Sequence, residues 1–198
     1  MKLEIDCSWE GGQKSAKVLV HFGNTPKSLF NLTDQQIDRI RDLEDTCLLD
    51  GPVGLKELET ICKDNPKSLY AGMAYFFALK SFEFFDEAKE LFNKLQKDFP
   101  DQIMTKCVKG LYLMEEDKDK EFYALFSGNE VIKGAFPDRD FFHYQEVLLF
   151  HFAWEIYHSN QKDVFQQEKH EKMSFMIKDI ADQLIFGKKA KEPSINKK

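Results

Sequence analysis

His143, His151, Glu155 and His158 recur at spacings close to seven and eight residues. On a helix those spacings put all four on one face. Glu155 and His158 also form a Glu-x-x-His pair, the spacing that sets a carboxylate beside an imidazole in carboxylate-bridged metal sites. Such a site needs a second pair and two further acids. No second pair occurs, because Glu168 and His170 stand two apart rather than three. The four residues therefore read first as the wetter stripe of an otherwise apolar helix, with no metal and no cofactor assigned. The alternative is a helical metal-binding protein or an enzyme that uses the His143, His151, Glu155 and His158 face, with His151, Glu155 and His158 as the metal candidates.

Other constellations carry less. Asp117, Asp119 and Glu121 alternate as in a calcium loop, but Phe122 stands where the sharp-turn glycine belongs and Gly128 where the bidentate glutamate belongs. No Gly-x-Ser-x-Gly occurs, and no glycine-rich loop opens a helix to cradle phosphate. Asp138, Arg139 and Asp140 read as a helix start with acids at its N-terminus. No catalytic residue is assigned. Cys7, Cys47, Cys62 and Cys107 are spread singly with no Cys-x-x-Cys, and read as buried thiols in a reducing compartment.

The elements that must position these groups follow from periodicity. Leu3, Ile5, Cys7 and Trp9 alternate with polar residues over positions 2–9, and Ala16, Val18, Val20 and Phe22 resume the alternation after a turn at 10–13. The pattern predicts a β-hairpin ending near residues 23–26. A lone hairpin is marginal in water, so it must lie on helices or pair its edge with another strand. Thr33 and Gln36 form a capping box, and Ile37, Ile40, Leu43 and Cys47 keep helical spacing behind it. Asp50, Gly51 and Pro52 break that helix and start the next, which runs to about Asp64. Further helices are expected over 67–82, 85–100, 103–115, 122–126, 138–160 and 163–186. The last should bury Met173, Met176, Ile177, Ile180 and Leu184 and stop at Gly187.

Pro66 and Pro100 stand 34 residues apart, and the residues before them agree at that spacing: Gly54 with Ala88, Leu58 with Phe92, Ile61 with Leu95. A period of 34 belongs to helix-turn-helix solenoids. Phe85, Asp86, Glu87 and Ala88, followed by Phe92 and Pro100, resemble the second helix of a tetratricopeptide repeat. The resemblance covers residues 69–100 well, 35–66 in part and 101–137 faintly. It implies that the alanine lets two helices cross closely, that the aromatic fills the gap between repeats, and that the proline ends the unit. Gly72 and Phe76 depart from the pattern, standing where a large and a small residue are usual. Gly54, Leu58, Ile61, Pro66, Phe85, Ala88, Phe92, Leu95, Pro100, Gly110 and Phe126 are the expected repeat-packing residues.

The chain has 198 residues, 42% hydrophobic and 31% charged, with 19 phenylalanines. That composition suits a globular protein with an aromatic-rich core. The net charge of -6 is uneven, since residues 187–198 hold five lysines against Glu192. An acidic body with only three arginines argues against a nucleic-acid binder. The first residues carry acids where a secretory leader has its apolar core, and the longest near-apolar run contains His151 and Glu155. A cytoplasmic protein without membrane contact is expected. The organisation expected is a mainly α, tetratricopeptide-like solenoid or bundle of about seven helices over 31–186, with a hairpin domain at 1–30 and a lysine-rich tail at 187–198 without regular structure. The expected function is a non-catalytic adaptor that binds a protein or peptide on its helical surface. A structural homo-oligomer built through the hairpin edge is a further alternative.

Overall fold

The computed structural model of the chain describes residues 1–6, 17–22, 31–50 and 53–185. Expectations that fall on Cys7, Trp9, the turns at 10–13, 23–26 and 51–52, the Cys47 side chain, Gly187 and the lysine-rich tail lie outside them. The described residues are mainly helical, with nine helices and three short strands among them. They divide into two compact units, residues 24–106 and residues 1–23 with 107–198.

The first of these units holds α1 (Asp34–Asp50), α2 (Val53–Asp64), α3 (Leu69–Ser81) and α4 (Phe85–Asp98). The capping box forms at the start of α1, where the Gln36 amide donates to Thr33 Oγ1 at 3.2 Å and Thr33 N–H to Gln36 Oε1 at 2.9 Å. Ile37, Ile40 and Leu43 turn inward behind it. Ser68 caps α3, accepting from the Ala71 amide at 3.1 Å. This helix is buried on nearly every side, as its apolar circumference requires. Ala88 is wholly buried on α4, and Phe92 packs on Phe76 with ring centroids 5.8 Å apart. Gly54, Leu58 and Leu95 are also buried, and Ile61 is half-buried. Pro66, Phe85 and Pro100 lie exposed at the surface.

The other unit contains the sheet. Strands β1 (Lys2–Asp6) and β2 (Lys17–His21) pair antiparallel with Ile5 opposite Val18 and Leu3 opposite Val20. Ile5, Val18, Val20 and Phe22 are buried, which is the alternation read from the sequence. β3 (Phe142–His143) adds to β2 in parallel, Val20 facing Phe142 and His21 facing His143. The far edge of β2 is thus filled by the same chain.

Helix α5 (Ile103–Glu115) leads to α6 (Asp119–Leu125), the four-residue α7 (Ile132–Ala135), α8 (Tyr144–Asn160) and α9 (Val164–Ile185). Gly110 on α5 lies against the Phe122 ring, where a Cβ would meet two ring carbons at 2.9 Å. Phe122 and Phe126 are buried beside it. The aromatic helix does not begin at Asp138. It begins at Tyr144, because Phe142 and His143 are extended in the sheet. His143 is the N-cap, and the Glu146 carboxylate accepts from the His143 amide at 2.8 Å. Arg139, read as part of a helix start, instead reaches Glu146 at 3.1 Å. The inward stripe of α9 also differs from expectation. It is His170, Met173, Ile177 and Ala181, while Met176 and Leu184 face outward.

Candidate metal centre

α8 and α9 form a helical hairpin closed by a tight turn. The Asp163 amide returns to the His158 carbonyl at 2.9 Å, and Lys162 takes the left-handed conformation with φ 59° that reverses the chain. His151 and His158 stand seven residues apart on α8, so their backbones are separated by about 10.5 Å along the axis. His170 on α9 inserts between them. Its ring centroid lies 5.1 Å from that of His151 and 5.5 Å from that of His158. Trp154, wholly buried, is near parallel to the rings of both His170 (15°) and His158 (27°) and so helps to hold their planes.

Glu130 reaches the same place from the loop between α6 and α7. Ser127 and Gly128 both have positive φ, and the Gly128 amide returns to the Tyr123 carbonyl at 2.9 Å. Glycine suits position 128, since its φ of +65° is one that L side chains rarely adopt. The turn directs the following residues back toward α8 and α9. Glu130 Oε1 then lies 3.5 Å from His158 Nε2, and Oε2 lies 3.6 Å from His170 Nε2.

Glu130, His158 and His170 each offer one ligand atom, and these atoms lie within 4.8 Å of one another. Both imidazoles are buried, and the glutamate side chain is 31% exposed. The two Nε2–Oε separations are long for a charge-assisted hydrogen bond. They have another geometric meaning. Metal–ligand bonds of about 2.0–2.2 Å at tetrahedral angles place neighbouring ligand atoms about 3.4 Å apart. The two contacts, made by different oxygens of the one carboxylate, are close to that separation.

The protonation states of Glu130 and His170 suit the same use. Contacts with His158 and His170 hold the Glu130 carboxyl down to about 2, although burial pushes it up, so it is an anion at neutral pH. Burial drives His170 below the usual imidazole range despite the carboxylate beside it. It drives His151 further down. A carboxylate and neutral imidazoles are the forms that bind metal.

Of the residues singled out in the sequence, His158 enters the cluster and His151 touches it through His170 Nδ1 at 2.8 Å. Glu155 does not enter; it is half-buried, and its carboxyl is raised by burial and by the neighbouring charge of Glu171. His143 serves the helix cap instead. The polar-stripe expectation is also corrected: His143, His151 and His158 are all buried, at 0%, 1% and 6% exposure. Glu130 and His170 do not stand out in the sequence. Glu130 carries no local signal beyond the turn before it, and the two-residue spacing of His170 from Glu168 does not match a ligand pair.

The cluster also overturns the expected adaptor role. A surface that only docks peptides gains nothing from three ionisable side chains gathered at one point with two of them buried, since taking such groups from water is costly unless they are paired or ligated. A group capable of coordinating metal argues against a purely non-catalytic scaffold. Among the described residues, no helix is long and apolar enough to cross a membrane. Comparison with protein-family models, with curated proteins and with solved structures finds no match to this chain.

Proposed function

We propose that this chain is a helical metal-binding protein that holds one divalent transition-metal ion between Glu130, His158 and His170. The observation that carries it is the convergence of two buried Nε2 atoms on one carboxylate at 3.5 and 3.6 Å. Two imidazoles and one carboxylate suit zinc and its neighbours, whereas calcium and magnesium call for oxygen ligands. Zinc is the ion best matched by this donor set, since it binds imidazole nitrogen and carboxylate oxygen alike. Three protein ligands leave a coordination position for a small exogenous donor, and the partly exposed Glu130 marks the side from which one would enter. That arrangement is typical of a zinc ion that acts as a Lewis acid rather than of a closed structural site.

The test is metal content and affinity. Chain loaded with zinc and dialysed is expected to retain one ion per molecule by atomic emission. Glu130→Gln, which keeps the side chain's size, is expected to bind at least about tenfold more weakly. Zinc that dialyses away from the unsubstituted chain, or an unchanged affinity in Glu130→Gln, overturns the proposal.

For residues 69–100 we propose a tetratricopeptide-like packing of α3 on α4. Its support is the wholly buried Ala88 and the contact of Phe92 with Phe76.

A further inference from the structure

His151 lies outside the set of three ligands, yet it is 1% exposed and its Nδ1 meets His170 Nδ1 at 2.8 Å. Two ring nitrogens at that distance cannot both present a lone pair, nor can both carry a hydrogen. One proton lies between them, on one ring or the other. The choice matters because the two nitrogens of an imidazole are linked: the hydrogen bond made by one sets the state of the other. With the proton on His151, His170 is left with its hydrogen on Nε2, facing Glu130 and blocking a metal. With the proton on His170 Nδ1, His170 Nε2 is a bare lone pair aimed at the carboxylate, and His151 accepts the bond and carries its own hydrogen on Nε2.

We infer that His151 is the positioning residue of this centre: by accepting the Nδ1–H of His170 it fixes the tautomer and ring plane that present His170 Nε2 to the ion. The inference rests on the metal-binding role proposed for Glu130, His158 and His170. Outer partners of this kind orient metal-bound histidines and raise their basicity. An imidazole is an uncommon choice for that role beside carboxylates and backbone carbonyls. Here it suits the surroundings, since Phe150 stands edge-on to His151 at 5.6 Å and Trp154 stacks on His170. A carboxylate in place of His151 would put a second negative charge among rings that offer it no counter-charge.

Two measurements test it. Long-range nitrogen–proton correlation spectra of histidine-labelled, zinc-loaded chain are expected to show the proton on Nδ1 of His170 and on Nε2 of His151. A protonated His151 Nδ1 in the loaded chain overturns the inference. Separately, His151→Phe keeps a planar ring but cannot accept the bond, and is expected to weaken zinc binding about 10–100-fold. His151→Asn, whose amide oxygen can stand in for Nδ1, should recover most of the loss. Unsubstituted chain that binds zinc alongside an unaffected His151→Phe overturns this inference alone, whereas unsubstituted chain that binds none overturns the centre itself. If His151→Phe does not fold, the tautomer spectra of the unsubstituted chain decide.

Discussion

His151 and His170 are neutral in the fold because burial makes their cations costly, and this has a consequence for stability. When the chain unfolds, both rings regain an ordinary pKa near 6.5. Below that pH the unfolded state binds protons that the folded state does not, so stability falls as pH drops through about 6.5. Each ring contributes a slope of up to about 1.4 kcal/mol per pH unit. Glu130 acts at lower pH. Its folded value of about 2 lies below the ordinary 4.5, so its contribution is present above 4.5 and is lost as pH falls toward 2. Urea denaturation of the metal-free chain is expected to show a lower midpoint at pH 5.5 than at pH 7.5, with a further drop below 4.5. A midpoint that stays level between pH 7.5 and 5.5 contradicts the buried neutral state of these rings. Of this residue-scale picture, the sequence showed only half. His151 and His158 share a face of one helix, and their spacing reveals it. His170 sits on another helix, and Glu130 follows a turn, so no single period joins all four.

The elements were legible where their pattern is local. Period-2 alternation found the β1–β2 pairing, and the capping box found the start of α1, because each depends on neighbours a few residues away. The start of α8 was not legible. Phe142 and His143 look helical in an aromatic run, and only the pairing with Val20 and His21, far away in the chain, makes them a strand. Register with a distant strand leaves no trace in local periodicity. Gly110 belongs to the same scale. Its absent side chain lets α5 approach the Phe122 ring, which is wholly buried and stacked on Tyr157 at 4.9 Å, and so has little room to move. Gly110→Ala therefore sets a gain in helix propensity of about 1 kcal/mol against overpacking of about 1–3 kcal/mol. A net destabilisation is expected by thermal melting, and a stabilised variant would show that the ring yields.

At the scale of the whole molecule, ligation should couple binding to folding. Glu130 comes from a loop, His158 from the end of α8 and His170 from α9, so one bound ion would tie three separate elements of the same unit. An ion that binds only the folded state stabilises it by about 2.7 kcal/mol at one hundred times its dissociation constant. Zinc is expected to raise the melting temperature by several degrees, chelator to reverse the shift, and Glu130→Gln to abolish most of it. A melting temperature insensitive to zinc in the unsubstituted chain would count against coupling.

The sequence by itself determined the helical class, the hairpin and which helices are most deeply buried, because those follow from the spacing of apolar side chains along a few turns or strands. It also held the 34-residue echo between Pro66 and Pro100. The group capable of coordinating metal was decided only by the tertiary structure. Its three residues are separated by 28 and 12 positions in the chain, and the turns at Gly128 and Lys162 bring them together. Those turns set directions in space that side-chain spacing does not encode. The folded hairpin of α8 and α9 then does what neither helix does alone, placing one imidazole from α9 between two from α8 and closing the group with a carboxylate from a loop.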